Sequence, residues 1–378
     1  MSTGHSLLAP SSADRWVKCP ASISLVQQFP QLTEHPSGPE GEAAHWVAWA
    51  MVHSHKPAVG DLAPNGLAVT EEMVDGALLH VNALFASANP HGGMRRVRME
   101  EREEMPSIHP QAFGTPDAVI DLADAIGEII IQDYKFGHGE VEEFENWQLA
   151  MYTRGVLDRL GFDGHAEQHL KIRFRIVQPR CYTAGGPVRE WLTTAGDLRA
   201  MWNKLRMAAD EALSADPAYQ VGGQCVHCPG RRACPALKRA GGDAMDYAGT
   251  GQPVLLTGED LGLELSFVER MMALLEARKS GLVEQTEHAI RTGQAVPGYA
   301  IEPGKGGVKW NCSDAEIIAL GDMAGVDLRK PAAPITPTQA KKKLDESVIA
   351  AYSERVPGQL KLVPSTNTLA ARVFTRKN

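Results

Sequence analysis

The run EIIIQDYKFG at residues 128–137 constrains the fold more than any other segment of the chain. Three consecutive isoleucines fit a buried β-strand, and the abrupt change to charged residues marks the end of that strand. Enzymes commonly display catalytic groups where a buried strand ends in polar side chains. The segment therefore predicts a sheet with a functional site at the end of this strand.

Strand-like alternation and helical spacing of apolar residues divide most of the remaining chain. Strands are predicted at residues 95–101, 118–122 and 169–177, and helices at 40–55, 71–88, 145–160, 194–215 and 261–291. Thr194 is the predicted N-cap of the fourth helix. The chain thus mixes strands with long amphipathic helices.

A chain of 378 residues with 43% apolar content can bury one large core or two ordinary ones. Residues 222–242 are rich in Gly, Pro, Cys and Arg without periodicity, which indicates a loop ordered by a ligand. The Pro-rich run KPAAPITP indicates a linker. We expect a main domain at 1–244, a helical extension at 245–330, and a linker with a C-terminal tail at 331–378.

The formal net charge of -8 argues against a protein that binds nucleic acid through overall positive charge. A local basic groove stays compatible with that charge. No segment approaches the roughly 18 apolar residues of a membrane span, and the N-terminal segment lacks a basic start followed by an apolar run. We therefore expect a cytoplasmic protein without a membrane partner.

Asp117, Asp133 and Lys135 form the candidate catalytic set. A hairpin between GTPDAVI and IIIQDYKFG would bring the two carboxylates into one site, and carboxylate oxygens are the ligands that Mg²⁺ or Mn²⁺ prefers for phosphodiester hydrolysis. Lys135 is two residues past Asp133 and points to the same face of a strand, where its ammonium would assist a metal-bound water. The alternative is two turn aspartates and a surface lysine.

Three further residues extend this set. Gln148 and Tyr152 lie four positions apart on a predicted helix and share one face, which suits contacts to a phosphate or to a metal-site carboxylate. His45 in EGEAAH would add an imidazole to a metal site. Taken singly, each residue is more often structural.

A strand with alternating basic residues is the candidate DNA-facing surface. Lys171, Arg173 and Arg175 alternate with apolar residues, so one face of this strand is basic. Arg231 and Arg232 add positive charge near the cysteine-rich segment. The alternative is an ordinary solvated sheet face.

Cys225, Cys228 and Cys234 have the spacing C-x2-C-x5-C, which lets three thiolates face one centre. Cys19 in RWVKCPAS is the expected fourth ligand and would close a loop of about 200 residues. Zinc and a 4Fe-4S cluster both accept four thiolates, so the spacing alone leaves both open. Cys181 and Cys312 are left over, and we expect them to be small buried residues rather than ligands.

The order of these motifs resembles the RecB-like branch of PD-(D/E)XK nucleases: His45, then G-x-x-D at 114–117, then D-Y-K at 133–135, then Q-x-x-x-Y at 148–152. The resemblance implies an α/β fold with a restriction-endonuclease-like core, in which helices flank a central mixed sheet. It also implies that the glutamine and tyrosine of the last motif support the site and contact DNA.

The same resemblance assigns roles to the remaining residues. It implies that His45, Asp117 and Asp133 are metal ligands, that the backbone carbonyl of Tyr134 is a further ligand, and that Lys135 is the catalytic lysine. The implied activity is that of a Mg²⁺- or Mn²⁺-dependent deoxyribonuclease, with an exonuclease acting on DNA ends or single strands as our leading hypothesis.

An N-terminal cysteine paired with a distal C-x2-C-x5-C is similar to the iron-sulfur staple of AddB-type nucleases and CRISPR-adaptation nucleases, which favours a 4Fe-4S cluster over zinc. The opening L-x-P-S-S-A-x-R-W-x-x-C-P and the later IVQPR resemble a phage and prophage family of unknown function. That resemblance implies a role in phage recombination or replication, beside a single-stranded-DNA-binding protein or a helicase.

Two rival hypotheses belong to other classes of protein. One is a non-catalytic DNA-binding or scaffold subunit of a recombination complex, although such a subunit has no need for the lysine of the D…DxK set. The other is a structural zinc protein of unrelated fold in which the carboxylates are incidental.

Overall fold

The computed structural model describes residues 6–32, 37–53, 55–162, 168–183, 185–249 and 255–301, together with 319 and 323. The chain divides into two compact units, Met1–Ile301 and Glu302–Asn378, and the description below concerns the first. The predicted linker and tail at 331–378 lie outside the described residues, and so does Cys312. Cys181 is buried, as predicted.

Four α-helices precede the first strand in the described part of the first unit, and three α-helices follow the last strand. The α-helices are α1 (Ala13–Lys18), α2 (Ser22–Gln28), α3 (Ser37–Val52), α4 (Glu71–Ala88), α5 (Ala123–Ile126), α6 (Trp147–Arg159), α7 (Ala195–Ala212), α8 (Pro235–Gly249) and α9 (Gly258–Arg291). The strands are β1 (Val97–Met99), β2 (Glu103–Glu104), β3 (Phe113–Gly114), β4 (Ala118–Leu122), β5 (Glu128–Tyr134), β6 (Lys171–Val177) and β7 (Val188–Thr194).

A five-stranded mixed sheet in the order β1-β4-β5-β6-β7 forms the centre of this unit. Strands β5 and β6 are parallel, and every other neighbouring pair in this sheet is antiparallel. Short helix α5 connects β4 to β5 and ends at Gly127, whose φ of 66° lies in the left-handed region that favours glycine. The predicted hairpin between the two aspartates therefore forms.

Helices cover both faces of the sheet. Side chains of α1, α6 and α7 form the larger core against one face, where Ile129 and Ile131 of β5 point. Helices α3 and α4 pack against the other face, where Ile130 and Tyr134 point. Because successive residues of a strand point to opposite faces, the fully buried strand β5 supplies apolar side chains to both layers.

The predicted α/β class, with helices on both sides of a central mixed sheet, is confirmed. Thr194 caps α7 as predicted, because its side chain accepts a hydrogen bond from the backbone N–H of Asp197. Strand β7 and helices α1 and α2 were not predicted. The predicted loop at 222–242 contains 3-10 turns at Gly223–His227 and Pro229–Arg232, and α8 begins inside it.

Helix α9 packs against the cysteine-rich segment through its C-terminal half. Ala277 and Gly281 are its buried residues, and a Cβ atom at Gly281 would lie 2.7 Å from the backbone nitrogen of Arg232. Glycine is required there because the two backbones approach closely. Among the described residues, no helix has the length and apolar character needed to cross a bilayer.

Candidate functional site

The sheet brings the two predicted carboxylates and the lysine to one place. Ala118 lies opposite Gln132 in the β4/β5 register, so Asp117 lies beside Asp133 just before β4 begins. The ammonium of Lys135 lies 2.9 Å from Asp133 Oδ2 and also interacts electrostatically with Asp117. Three charged side chains therefore converge where β5 ends.

Gln148 on α6 joins the ammonium to the carboxylate. Its Oε1 accepts a hydrogen bond from Lys135 Nζ at 3.2 Å, and its Nε2 donates to Asp133 Oδ1 at 3.0 Å. The same Nε2 donates to the hydroxyl of Tyr152 at 3.3 Å, one helical turn further on. The glutamine and tyrosine thus hold Lys135 and Asp133 in one orientation.

His45 and Glu100 close the other side of the site. His45 Nδ1 lies 3.3 Å from Asp117 Oδ1 and 3.9 Å from Glu100 Oε1. Each of these three residues offers one ligand atom, and the three atoms lie within 4.8 Å of one another. We call the residues of this site the acidic centre: His45, Glu100, Asp117, Asp133 and Lys135.

Glu100 was not selected by sequence reasoning. It follows β1 with a φ of 50°, a left-handed conformation that is uncommon for residues other than glycine, and its backbone N–H donates to the carbonyl of Asp117 at 3.3 Å. Residues in such conformations cluster at functional sites. The acidic run after the predicted strand was the available signal, but it does not distinguish Glu100 from Glu101.

Burial and charge together set the protonation of the acidic centre. Burial alone would raise the pKa of Asp117, but His45 and Lys135 outweigh it, and the net effect lowers this pKa. Burial alone would lower the pKa of His45, but Asp117 and Glu100 raise it to about 10. For Asp133, burial raises the pKa by more than Lys135 lowers it. The imidazole is therefore held as a cation beside an ionised Asp117.

The backbone of Tyr134 is oriented towards Asp117. Its N–H donates to Asp117 Oδ2 at 2.6 Å, whereas the next N–H, of Lys135, donates to Val177 beyond β5 on the other side. Because the N–H and C=O of one strand residue point the same way, the Tyr134 carbonyl also faces the side of Asp117. This is the direction that the predicted carbonyl ligand requires.

Gly114 lets the N-terminal motif pack next to the acidic centre. A Cβ atom at this position would lie 2.6 Å from Pro10 Cγ and 3.0 Å from Tyr152 Cε1. The indole N–H of Trp16 donates to the carbonyl of Ala9 at 3.2 Å and so fixes the turn that carries Pro10. The glycine of the G-x-x-D motif is thus required for close packing against the site tyrosine.

The four predicted cysteine ligands lie together; we call them the cysteine centre: Cys19, Cys225, Cys228 and Cys234. All four are buried and line one cavity. The backbone N–H of Gln220 donates to Cys19 Sγ at 3.5 Å, and that of Gly222 donates to Cys225 Sγ at 3.4 Å. The structure therefore brings the N-terminal cysteine to the distal motif, about 200 residues away in sequence.

Arg15 lies in the wall of the same cavity. Its Nε atom is buried and has no hydrogen-bond partner, and its charge acts mainly on Cys228 and Cys19. Burial lowers the pKa of Arg15 and raises that of the Cys225 thiol to about 11. A partly buried cation thus lines the same cavity as the four cysteines, and burial also raises the pKa of the Cys19 and Cys228 thiols.

The basic face predicted to contact DNA is largely an internal ion-pair layer. Arg175 is buried and pairs with Glu190, while also donating to Gln132 Oε1 at 2.8 Å. Arg173 pairs with Glu128 and Glu190. These ion pairs engage both guanidinium groups within the protein, and the role in DNA contact predicted for the two arginines stays a prediction. On this strand, Lys171 is exposed.

Arg231 and Arg232 also have internal partners. Arg231 forms an ion pair with Glu284 of α9 at 2.8 Å, and the buried Arg232 donates to the carbonyl of Pro30 at 2.7 Å. Both side chains thus join the cysteine-rich segment to neighbouring parts of the chain, and their predicted role in DNA contact stays a prediction.

The chain belongs to the DUF2800 family, described as a family of proteins of unknown function, which it matches over residues 5–369. The fold is similar to that in the crystal structure of SSO0001, with 14% sequence identity and a TM-score of 0.31. The match covers 59% of this chain and 84% of that chain.

Proposed function

We propose that this protein is a divalent-metal-dependent deoxyribonuclease of the RecB-like PD-(D/E)XK type. The observation that carries the proposal is the convergence of Asp117, Asp133 and Lys135 at the end of β5, with Gln148 bonded to both Asp133 and Lys135. A module that only binds DNA has no need for a lysine held against two carboxylates. The same arrangement suits phosphodiester hydrolysis.

The residues of the acidic centre fit a hard divalent cation. His45, Glu100 and Asp117 offer one imidazole nitrogen and two carboxylates, and the carbonyl of Tyr134 points towards the same side of β5. Such a donor set suits Mg²⁺ or Mn²⁺. A divalent cation bound there would activate water and neutralise charge on the scissile phosphate. Since the imidazole must be neutral to ligate, binding is coupled to loss of the proton on His45.

The chain's own residues supply orientation and charge. Gln148 fixes the ammonium of Lys135, which is placed to stabilise negative charge that develops on a phosphate. Asp133 holds the same ammonium, and its Oδ2 is buried without an aligned hydrogen bond although it lies 2.9 Å from Nζ. We assign this oxygen as the atom through which Asp133 acts as a ligand.

The cysteine centre fits a four-thiolate metal centre, and we propose a 4Fe-4S cluster as its occupant. Zinc also accepts four thiolates. The similarity of the N-terminal cysteine and the distal C-x2-C-x5-C motif to the iron-sulfur staple of AddB-type nucleases favours the cluster. When bound, the cluster would tie α1 to the segment before α8.

A nuclease assay tests the proposal. Full-length protein is incubated with linear duplex, circular duplex and single-stranded DNA in Mn²⁺ or Mg²⁺, beside the variants Asp117→Asn and Lys135→Met. We expect cleavage by the wild-type protein and a loss of roughly a hundredfold or more in each variant. Asp121→Asn is the matched control, because Asp121 lies on β4 four residues after Asp117 and its side chain accepts a hydrogen bond from the nearby backbone N–H of Ala123.

Three outcomes would overturn the assignment. Cleavage that survives in Asp117→Asn would place the reaction elsewhere or in a contaminant. Equal loss in the Asp121→Asn control would show a general effect on folding. DNA binding without cleavage of any substrate would favour the non-catalytic scaffold subunit. Iron and sulfide analysis of the purified protein separates a cluster from stoichiometric zinc.

A further inference from the structure

The solvent-facing side of α3 carries aromatic rings that begin at the acidic centre. Four positions separate His45 from Trp49, and four more separate Trp49 from His53, so the three rings lie on one face, one turn apart. The backbone N–H of His53 donates to the carbonyl of Trp49 at 3.2 Å, so helical geometry continues through His53. We call Trp49 and His53 the aromatic stripe.

Packing on the opposite side of α3 fixes this orientation. The residues that face the core are buried: Ala43, Ala44, Val47 and Ala48. Since these residues pack in one cluster with Tyr134 and Phe136 of the sheet layer, the helix cannot rotate to bury Trp49. The indole is 39% exposed, which leaves a large apolar ring at the surface beside the metal ligand His45.

The two rings of the aromatic stripe are arranged as a flat stack. Their centroids lie 4.3 Å apart with an interplanar angle of 26°, and His53 Nδ1 donates to the carbonyl of Trp49 at 2.8 Å. A stack held by a backbone hydrogen bond presents ring faces in a fixed direction. Ring faces of this kind bind unpaired nucleobases, which have π-faces of their own.

Building on the proposed function, we propose that Trp49 and His53 form a stacking platform for the bases of single-stranded DNA whose scissile phosphate lies at the acidic centre. A helix rises 1.5 Å per residue, so the platform extends roughly 6 to 12 Å from His45. This span corresponds to about two to four base steps of 3.4 Å. The platform thus binds the nucleotides next to the cleaved bond.

The ring faces of the aromatic stripe favour a single strand over a duplex as the occupant. A paired base exposes only its edges in the grooves, whereas an unpaired base can lie flat on an aromatic ring. We therefore expect stacking to supply the preference of this surface for unpaired bases.

A binding assay separate from cleavage tests the platform. Fluorescence anisotropy measures binding of a labelled oligo(dT) and of a blunt hairpin duplex to full-length Asp117→Asn protein, with or without Trp49→Ala, Trp49→Phe or His53→Ala. We expect Trp49→Ala to weaken oligo(dT) binding about tenfold to a hundredfold and to change duplex binding less than about twofold. Trp49→Phe should retain most of the affinity. The control is Tyr182→Ala, at a tyrosine that is 70% exposed.

Each contrary outcome has a distinct meaning. The platform proposal is wrong if Trp49→Ala binds oligo(dT) as tightly as the Tyr182→Ala control does. It is also wrong if Trp49→Ala loses affinity for the duplex and the single strand equally. Should Trp49→Ala melt early, His53→Ala supplies the same comparison. If the wild-type protein cleaves nothing while Trp49→Ala still loses oligo(dT), the nuclease proposal fails and the platform stands. If Trp49→Ala binds oligo(dT) normally while cleavage by the wild-type protein depends on Asp117, the platform proposal is wrong and the nuclease proposal stands.

Discussion

The acidic centre and the cysteine centre depend on the fold in opposite ways. The acidic centre stands where a buried strand ends, and its side chains already bond to one another through Gln148 and the backbone of Tyr134. The cysteine centre stands on turns and on the ends of short helices, where backbone N–H groups donate to Cys19 Sγ at 3.5 Å and to Cys225 Sγ at 3.4 Å. Bonds within the protein hold the first site together, whereas the proposed cluster would hold the four sulfur atoms of the second.

The largest expected effect is a loss of stability when the cysteine centre is broken. Cys19→Ser removes the proposed ligand that would close a loop of about 200 residues, and closing so long a loop is worth about 5 kcal/mol in a chain-entropy model. We expect a melting temperature lower by about 10 °C or more, together with loss of bound metal. Calorimetry and metal analysis measure both.

Cys181→Ser is the matched control for this variant. Cys181 is buried to a similar degree but lies outside the cysteine cavity, so its substitution should leave the metal content unchanged. If the Cys19→Ser protein keeps its metal and its melting temperature, the cysteine centre does not need the N-terminal thiolate, and its proposed dependence on the metal is wrong.

The acidic centre should show the reverse pattern. Asp117→Asn keeps an oxygen that can accept the N–H of Tyr134, and His45 can lose its proton once its charged partner is gone, so we expect the melting temperature to fall by only a few degrees. Cleavage should fall by roughly a hundredfold or more. A large drop in stability would show that the acidic centre also holds the fold together.

Sequence reasoning found the parts of the acidic centre that are encoded locally. The hairpin and one helical turn place Asp117, Asp133, Lys135 and Gln148, and each of these spacings follows from strand or helix geometry. Glu100 was missed, because its position depends on a left-handed φ that an acidic run does not reveal.

The ion-pair partners of the two arginines on β6 were not predicted, for a related reason. Alternation along β6 correctly indicated that Arg173 and Arg175 share a face, but it could not show that this face is covered. Glu190 on the unpredicted strand β7 lies directly opposite Arg175, and α4 supplies the carbonyl of Ala83 as a further acceptor. Partners from distant segments decide whether a basic face is free, and single-strand periodicity carries no information about them.

Two glycines, one beside each centre, allow the acidic centre and the cysteine centre to be compared with the same substitution. A Cβ atom at Gly281 would meet the backbone of Arg232, and one at Gly114 would meet Pro10 and Tyr152. Alanine at either position should destabilise the protein by about 1–3 kcal/mol. Gly281→Ala should weaken the packing of α9 and lower the metal content, without reducing the cleavage rate per folded molecule. Gly114→Ala should reduce the cleavage rate.

Gly137→Ala is the control for both glycine variants, because no atom lies within 4 Å of a Cβ atom built there. Thermal melting, metal content and initial cleavage rates are measured on all three proteins. Equal losses of cleavage in the Gly114→Ala and Gly281→Ala proteins would mean that the two centres are coupled rather than separate.

The smallest expected effect on stability is that of replacing Arg15 at the cysteine centre. Its sign should depend on whether the metal is bound. Four thiolates around Zn²⁺ or a 4Fe-4S cluster leave a net negative charge, which the guanidinium of Arg15 faces from the cavity wall. Arg15→Met should therefore speed loss of the metal to a chelator severalfold, equivalent to about 1 kcal/mol. In metal-free protein the same change removes a partly buried charge whose buried Nε has no hydrogen-bond partner, so it should be neutral or stabilising. Lys18→Met is the control, because Lys18 lies on the same helix but is exposed; it should change neither the rate of metal loss nor the stability of the metal-free protein. An Arg15→Met effect of the same sign with and without metal would show that Arg15 acts through packing rather than charge.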